Sequence, residues 1–466
     1  MPANKRSTAA RAAEPKHQKQ DEEQPWPLAT PSQAELASAF AQGIDLAEGH
    51  RPGHAARVCY IAANLAQALG LSTEVRRAVS YASLLHDAGT VSTAAKICRL
   101  INVSEEAIFY SGPERPPEQL ALEIAPNDTE VVVKLLRAHP EHGSQVARDL
   151  NCDATVQEAI ASHHERWDGH GYPQSLKGEA IPIVGRLVAT ADVIEFLISG
   201  EDNALVARRN LLAELGEHEG LTLDPELVQK TRELVGNDAF WLGIYRDDLS
   251  QVVAATCPDE PQGVDRSPAH LYTFAKVFAG LADSKGDNTK HHNQRTADLA
   301  DHLAEALGFS AGRRSMLHIA ALLHNVGLLG VPARVIAKPD ILSLKEMEAM
   351  RKHPTYSEMI LGALPGMEEA ARWVGAHHER PDAKGYPEMW EAEMIPIEAR
   401  IIAVADTYVA LTSTRPYRGA LSDKDARQVL KGGAGTQLDA KVVKLLCSLS
   451  PTATSSRTAP RSRRKR

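Results

Sequence analysis

The spacing of apolar residues along the chain predicts helices. Between residues 54 and 69, apolar side chains recur at three- and four-residue intervals on one helical face, namely Val58, Ile61, Leu65 and Leu69. Segment 292–307 carries a similar stripe, formed by Leu299, Leu303 and Leu307. Both segments end in Leu-Gly, a common helix stop, and alternating strand patterns are scarce. We therefore predict an all-α protein built of helical bundles.

A set of seven polar positions occurs twice at constant offsets. The first copy is His54, His86, Asp87, His139, His163, His164 and Asp192. The second copy is His292, His324, Asn325, His353, His377, His378 and Asp406. The first three positions differ by 238 residues (292 − 54 = 238) and the last four by 214 (353 − 139 = 214). Constant offsets around one 24-residue length change (238 − 214 = 24) predict an internal duplication, with two tandem modules.

A second repeated marker helps to place the domain boundaries. GLTLDPELVQK at 220–230 corresponds to GTQLDAKVVKL at 435–445. We predict a disordered tail over 1–35, module one over 36–250, a linker over 251–267, module two over 268–450 and a basic disordered tail over 451–466. The length difference falls between Asp87 and His139, where a segment with four prolines predicts a loop inserted over module one.

Composition narrows the class of protein. The 466 residues fit two to three domains, and 43% hydrophobic with 24% charged residues is ordinary for a soluble globular protein. A net charge of −8 gives no case for a specific nucleic-acid partner, and no run approaches the ~20 apolar residues of a membrane span. Five scattered cysteines without a CxxC pair predict reduced thiols in the cytoplasm and argue against thiolate zinc. The basic tail could touch nucleic acid or anionic lipid, but a solvated end is favoured.

The repeated residues have the chemistry of metal ligands. Imidazole and carboxylate bind iron, manganese or zinc, and seven such groups suit two metals that share one carboxylate. Two metals about 3.5–4 Å apart activate a water and hold the attacking and leaving oxygens of a phosphoryl displacement. Taken singly, His54 could be a helix-start residue, and His139 and His353 could be exposed loop histidines. The joint recurrence favours two divalent metal ions in module one, with iron or manganese expected and zinc as the alternative.

The motifs resemble those of the HD-GYP family, a branch of the HD superfamily of metal-dependent phosphohydrolases. Module one has LLHDAG, HPEHG, HHERWDGHGYP and ATADV, and module two has LLHNVG, HPTYS, AHHERPDAKGYP and TRPYR. The resemblance covers about four hundred residues. It implies an all-helical HD-type bundle, two or three metals that are often iron, and phosphodiesterase activity on cyclic di-GMP.

The resemblance also implies roles for individual residues. The seven residues of the first copy match the family's metal ligands, with His86 and Asp87 at the catalytic centre and Asp87 as the bridging carboxylate. Gly171, Tyr172 and Pro173 match the GYP loop, which would lie beside the substrate and contact a signalling-protein partner. His50 sits where some members place an additional acidic ligand.

The departures from the family pattern concern charge. Thr90 and Leu328 stand where the family has a lysine that supports the substrate phosphate, and neither can supply its positive charge. Module one also lacks the arginines that follow the last aspartate, whereas module two keeps Arg415 and Arg418 as candidate nucleotide-binding residues. Asn325 removes the bridging charge from module two, so we expect this degenerate copy to bind one metal weakly or none.

Three functional hypotheses follow. In the leading one, module one hydrolyses cyclic di-GMP or a related cyclic dinucleotide, and module two is regulatory. In the second, motivated by the missing lysines, the chain is a catalytically inactive nucleotide sensor or signalling scaffold. In the third, it is an HD-type phosphohydrolase of another nucleotide. Packing of the two modules as a pseudo-dimer is a further expectation, and no membrane partner is expected.

Overall fold

The computed structural model confirms the all-α class. It describes residues 31–49, 53–109, 115–258, 268–286, 291–414 and 418–450. Within these ranges no β-strand forms, and the only extended pairing is in isolated bridges such as Glu219 with Leu223 and its counterpart Ala434 with Leu438. None of the helices in these ranges combines the length and the apolar character needed to cross a bilayer.

Module one contains helices α1 to α13. Their bounds are α1 Gln33–Glu48, α2 His54–Ala68, α3 Thr73–Leu85, α4 Thr90–Ile101, α5 Glu106–Phe109, α6 Pro117–Ile124, α7 Thr129–Asp149, α8 Ala154–Ser162, α9 Ile183–Ile198, α10 Ala204–His218, α11 Pro225–Val235, α12 Asp238–Ile244 and α13 Leu249–Thr256. A 3₁₀ turn over Gly178–Ala180 precedes α9. Helices α2, α3, α8 and α9 pack together and form the centre of the module.

Module two repeats this order with fewer additions. Its helices are α14 Pro268–Ser284, α15 His292–Ala306, α16 Ala311–Leu323, α17 Ala333–Ile336, α18 Leu344–Arg351, α19 His353–Gly362, α20 Glu368–Gly375, α21 Ile397–Leu411, α22 Asp423–Gly433 and α23 Ala440–Ser448. A 3₁₀ turn over Val326–Gly330 stands where α4 begins in module one. The same residue offsets therefore produce the same succession of elements.

Local chemistry explains why equivalent helices begin at equivalent residues. Ser72 and Ser310, which are 238 positions apart, each accept a hydrogen bond from the backbone N–H three residues later, at Val75 and Arg313 respectively. This N-cap satisfies a donor that the first helical turn leaves unpaired. The region of His139 differs, because α7 continues through Pro140 as one 21-residue helix while α18 and α19 are separate.

Several predicted boundaries need correction. Helix α1 begins at Gln33, inside the predicted tail, because Ser32 and Glu35 form a capping box there. Helix α13 occupies part of the predicted linker and packs against α1. The insertion is more than a loop, since it contains α5 and α6. Residues 1–30 and 451–466 of the predicted tails and residues 259–267 of the predicted linker lie outside the described residues.

The predicted apolar faces form the core, and this core runs through both modules. Val58, Ile61 and Leu65 are fully buried, whereas Leu307 at the end of the second stripe is 40% exposed. Helices α1 and α14 contact each other, and each also contacts the opposite module: α1 packs on α19, and α14 packs on α4 and α7. The Phe40 ring stacks on the Phe278 ring with centroids 3.9 Å apart, and these residues are 238 positions apart (278 − 40 = 238).

The insertion is held between the two modules by its own small core. Ile108, Leu120 and Ala121 of the insertion pack with residues of α4 and with Ala333 of module two. Beside this core, the buried Glu105 carboxylate lies 3.2 Å from Lys285 Nζ and accepts a hydrogen bond from the Ala333 N–H at 2.7 Å. Lys285 Nζ also donates to the Leu329 carbonyl oxygen at 2.6 Å. A buried ion pair and a buried hydrogen bond therefore join the inserted segment to module two.

Candidate metal centre

The seven predicted ligands of module one come from five separate parts of the fold. His54 is the first residue of α2, His86 and Asp87 follow the end of α3, His139 lies within α7, His163 and His164 follow α8, and Asp192 lies in α9. Because α2, α3, α8 and α9 pack side by side, their ends and faces bring these side chains to one place. The structure therefore assembles the complete predicted set.

The ligands form two groups that share one carboxylate. The first group is His54, His86 and Asp87, and the second is Asp87, His139, His163 and His164; within each group the ligand atoms lie within 4.8 Å of one another. Asp192 Oδ1 lies 3.6 Å from His54 Nε2 and 4.0 Å from His86 Nε2, so it belongs beside the first group. Asp87 is the only member of both groups, which is the position of a bridging ligand.

Backbone contacts determine which imidazole nitrogen faces the centre. The Nδ1 atoms of His86, His139 and His163 lie 2.9, 2.6 and 2.6 Å from the carbonyl oxygens of Ser83, Leu136 and Ile160. A carbonyl oxygen only accepts, so each Nδ1 carries a proton, and in His139 and His163 this leaves Nε2 with its lone pair. His86 Nε2 instead lies 2.8 Å from Asp87 Oδ2. Within the described chain, Nε2 of His139 and of His163 is buried without a hydrogen-bond partner, which fits a metal ligand.

The electrostatics also suit neutral imidazole ligands in the second group. Burial, together with the neighbouring His163, lowers the pKa of His139 to about 4. Burial and the neighbouring histidines likewise hold the pKa of His164 well below its usual value. A neutral imidazole offers its lone pair to a cation at physiological pH, whereas a protonated one cannot.

Glu195 is a functional residue that sequence reasoning missed. Its Oε2 lies 2.8 Å from His54 Nδ1, and its Oε1 accepts a hydrogen bond from Arg57 Nε at 2.7 Å. Burial disfavours both charges, but the Glu195 and Asp192 carboxylates raise the pKa of His54 well above its usual value, and His54 and Arg57 lower that of Glu195 to about 2. The available signal was the acid three residues after Asp192, where the equivalent residue of module two is Val409.

A second buried acid beside the centre was also missed. Glu48, at the end of α1, accepts a hydrogen bond from Thr90 Oγ1 at 2.5 Å. Burial and the negative charge of Asp87 raise the pKa of Glu48 well above its usual value. Thr90, at the position of the family's lysine, is therefore bonded to an acid, and the residue equivalent to Glu48 in module two is Gly286.

The GYP loop forms one wall of the site. The Tyr172 ring stacks on the ligand His164 with centroids 5.0 Å apart. Gly171 must be glycine, because a Cβ there would lie 2.3 Å from the Arg166 backbone nitrogen. Pro173 is half-buried in the same loop, and the Glu165 carboxylate anchors the loop by accepting the backbone N–H of Gln174 and Leu176.

A cavity opens directly onto the metal centre of module one. Its volume is about 820 Å³, including the open mouth, and its walls include His54, Asp87, His139, His164, Asp192 and Tyr172. The inserted segment supplies a further wall through Ile108, Arg115, Pro117 and Leu120. Its mixed apolar and polar lining is that of a site for a small organic ligand.

The corresponding centre of module two is divided. His292, His324 and Asp406 form one group, and His353, His377 and His378 form another, with no shared residue among the described ligands. Asn325, the residue equivalent to Asp87, donates through Nδ2 to Asn293 Oδ1 at 3.2 Å. Module two therefore has a neutral amide where module one has the carboxylate common to its two groups.

Arg418 is not among the residues that line the cavity of module one. Arg418 donates through its guanidinium to the carbonyl oxygens of Ala410 and Leu411 at the end of α21, each at 3.1 Å. This contact gives Arg418 a structural role in this conformation, since helix-end carbonyls otherwise lack partners. Arg415 and His50 lie outside the described residues.

The arrangement agrees with comparisons to known proteins. A family model described as the HD domain matches residues 112–227 and 276–442, which is more than half of the chain. The chain belongs to the HD-domain family. The first matched segment begins after Asp87. In this HD-domain protein, the geometry described above is therefore the basis for including His54, His86 and Asp87 in the candidate metal centre.

Several proteins similar to this HD-domain protein are phosphodiesterases. The 3′3′-cGAMP-specific phosphodiesterase 3 of Vibrio cholerae is 31% identical over 428 residues, covering 87% of this chain and 92% of the relative. A cyclic di-GMP phosphodiesterase of Thermotoga maritima is 32% identical over 181 residues, covering 38% and 49%. The crystal structure of a cyclic GMP-AMP-specific phosphodiesterase of V. cholerae is 29% identical, with a TM-score of 0.63 over 89% of this chain and 96% of that one. These findings confirm the HD-GYP resemblance and a metal-dependent phosphodiesterase.

Proposed function

We propose that module one hydrolyses a cyclic dinucleotide, with 3′3′-cGAMP foremost and cyclic di-GMP as the second candidate. The observation that carries this proposal is Asp87, which joins two ligand groups in module one, whereas module two has the neutral Asn325 at that position. The preference for 3′3′-cGAMP rests on the relatives that match along most of their length, since a second V. cholerae 3′3′-cGAMP-specific phosphodiesterase is 27% identical over 83% of both chains.

The residues of module one have separable tasks in this proposal. When bound, two divalent ions supply positive charge to the phosphate and lower the pKa of water. One ion would be held by His54, His86 and Asp192, and the other by His139, His163 and His164. Asp87 would bind both ions. Tyr172 presents an aromatic face at the cavity wall, where a base or ribose can pack.

The test compares one substitution in each module. Metal-loaded wild-type protein is incubated with 3′3′-cGAMP and with cyclic di-GMP, and the products are separated by chromatography. Asp87→Asn should abolish hydrolysis and lower the metal content, because asparagine, the residue of module two at position 325, lacks the bridging negative charge. Asp406→Asn, the control in module two, removes a carboxylate from the group of His292, His324 and Asp406 and should leave hydrolysis intact.

Two results would contradict the proposal. Wild-type protein that retains both metals and leaves both dinucleotides intact would reject cyclic-dinucleotide hydrolysis, and tight binding without turnover would support the sensor hypothesis instead. Hydrolysis lost in Asp406→Asn but kept in Asp87→Asn would place the reaction in module two.

We further propose that module two regulates module one through a pseudo-dimeric contact. Phe40 and Phe278 occupy equivalent positions and stack on each other, which is the geometry of a two-fold contact between like surfaces. The buried Glu105–Lys285 pair then connects module two to the insertion that walls the cavity. A change in module two can therefore reach the cavity wall through this buried pair.

The remaining parts of the proposal concern location and partners. We propose a cytoplasmic protein, because all five cysteines lie in the described residues and none forms a disulfide. We also propose that the GYP loop of module one contacts a signalling protein. His170 in this loop has an 82% exposed side chain, so the outer face of the loop is open to a partner.

A further inference from the structure

The cavity above the metal centre of module one has one strongly basic side chain in its wall. Among the described residues that line it, Arg115 is the only lysine or arginine, while Asp87, Asp192 and Glu195 contribute negative charge. Two bound metals would occupy the ligand groups, so they leave little positive charge for any other part of an anionic ligand. Arg115 is therefore the side chain best suited to bind a second phosphate.

Arg115 lies at the junction of two cavities. It lines the cavity over the metals and also an adjoining one of about 800 Å³, whose walls include Arg137, His164 and Tyr172. Arg137 extends from α7 with its guanidinium carbon 5.9 Å from the Tyr172 ring centroid. The two arginines thus border the same opening, one from the insertion and one from the bundle.

The existing partner of Arg115 leaves it accessible to an anion. Its guanidinium pairs with Glu123 of α6, and the Arg115 side chain is 26% exposed while that of Glu123 is 59% exposed. An exposed ion pair contributes little to stability, because water and salt screen it. A phosphate diester entering the cavity can therefore compete with Glu123 for the guanidinium, which binds phosphate oxygens through two parallel hydrogen bonds.

We propose that Arg115, carried by the insertion, binds the phosphate of the cyclic dinucleotide that is not being hydrolysed, with Arg137 supporting it from α7. A cyclic dinucleotide contains two phosphodiester groups, and only one can lie on the metals at a time. The inference rests on the proposed function, and it assigns to the insertion the positive charge that Thr90 and the missing arginines of module one do not supply. Module two lacks both the insertion and the shared metal ligand.

The test uses two substrates and a matched pair of variants in the full-length, metal-loaded protein. Arg115→Gln should raise KM for 3′3′-cGAMP about 10–100-fold, the effect of one charge-assisted contact. Bis(4-nitrophenyl) phosphate has a single phosphodiester, so its kcat/KM should change by less than about threefold. Glu123→Gln removes the same ion pair but keeps the arginine, and its KM for 3′3′-cGAMP should be unchanged or lower.

The possible results separate the inference from the function beneath it. If Arg115→Gln and Glu123→Gln lower kcat/KM equally for both substrates, the ion pair is structural and the inference is wrong. If wild-type protein cleaves the cyclic dinucleotide and Arg115→Gln leaves its KM unchanged, only the inference fails. If wild-type protein cleaves bis(4-nitrophenyl) phosphate but no cyclic dinucleotide, the proposed function fails, and the role of Arg115 with it. Arg115→Lys should recover part of the lost affinity.

Discussion

Replacement of Glu195 by glutamine tests how the first ligand group is held. The carboxylate contacts His54 Nδ1 at 2.8 Å and Arg57 Nε at 2.7 Å, so it orients the imidazole whose Nε2 faces Asp192. Glutamine keeps the shape and can still accept one hydrogen bond. It removes the negative charge that makes His54 a more basic ligand, as the raised pKa of His54 indicates.

The expected magnitude follows from this indirect role. Loss of a residue that hydrogen-bonds a metal-ligating histidine lowers metal affinity or activity about 10–100-fold. That range corresponds to ~1.4–2.8 kcal/mol of metal-binding free energy at 25 °C. Because all ligands remain, activity should recover at high metal concentration, whereas Asp87→Asn should not recover.

The assay is competition between the protein and a chelator of known affinity, read by metal analysis and followed by hydrolysis at increasing manganese. Glu201→Gln removes the same charge beyond the end of α9 and serves as the control, since the Glu201 carboxylate accepts the nearby backbone N–H of Asn203. Arg57→Gln distinguishes loss of charge from loss of the arginine contact and should have the smaller effect. Metal affinity within about threefold of wild type in Glu195→Gln would refute the reasoning.

Three further predictions follow from the structure. Lys285→Met leaves the buried Glu105 without its cation and should lower the free energy of unfolding by about 3–5 kcal/mol in urea titrations, whereas a loss below about 1 kcal/mol would contradict a buried pair. Burial lowers the folded-state pKa of Lys285, although Glu105 opposes this shift, so between that lowered pKa and 10.5 the unfolded chain keeps a proton that the folded protein has lost. The free energy of unfolding of wild type should therefore rise relative to that of Lys285→Met as pH increases through this alkaline range, measured as the difference between their unfolding curves. Gly171→Ala should displace the GYP loop and reduce hydrolysis, while Gly200→Ala, whose Cβ meets nothing within 4 Å, should match wild type, and equal activities would show that the loop tolerates the clash.

Much of the fold and the ligand set was predictable because the signals are local or repeated. The three-four spacing of Val58, Ile61 and Leu65 identified a buried helical face, and the structure buries all three. The constant offsets singled out seven candidate ligands without any knowledge of distances, and the structure brings these side chains together. The boundary errors near Gln33 and Leu249 arose where capping and packing on α1 decided the helix ends.

The amino-acid sequence by itself determined the duplication, the all-α class and the set of candidate metal ligands, because periodicity and spacing are properties of the chain. Tertiary structure alone decided which groups act on those ligands. His54 and Glu195 are 141 positions apart, Glu48 and Thr90 are 42 apart, and Arg115 reaches the cavity only because the insertion folds over it. Such contacts depend on how packed helices place distant side chains, and no local pattern records that placement.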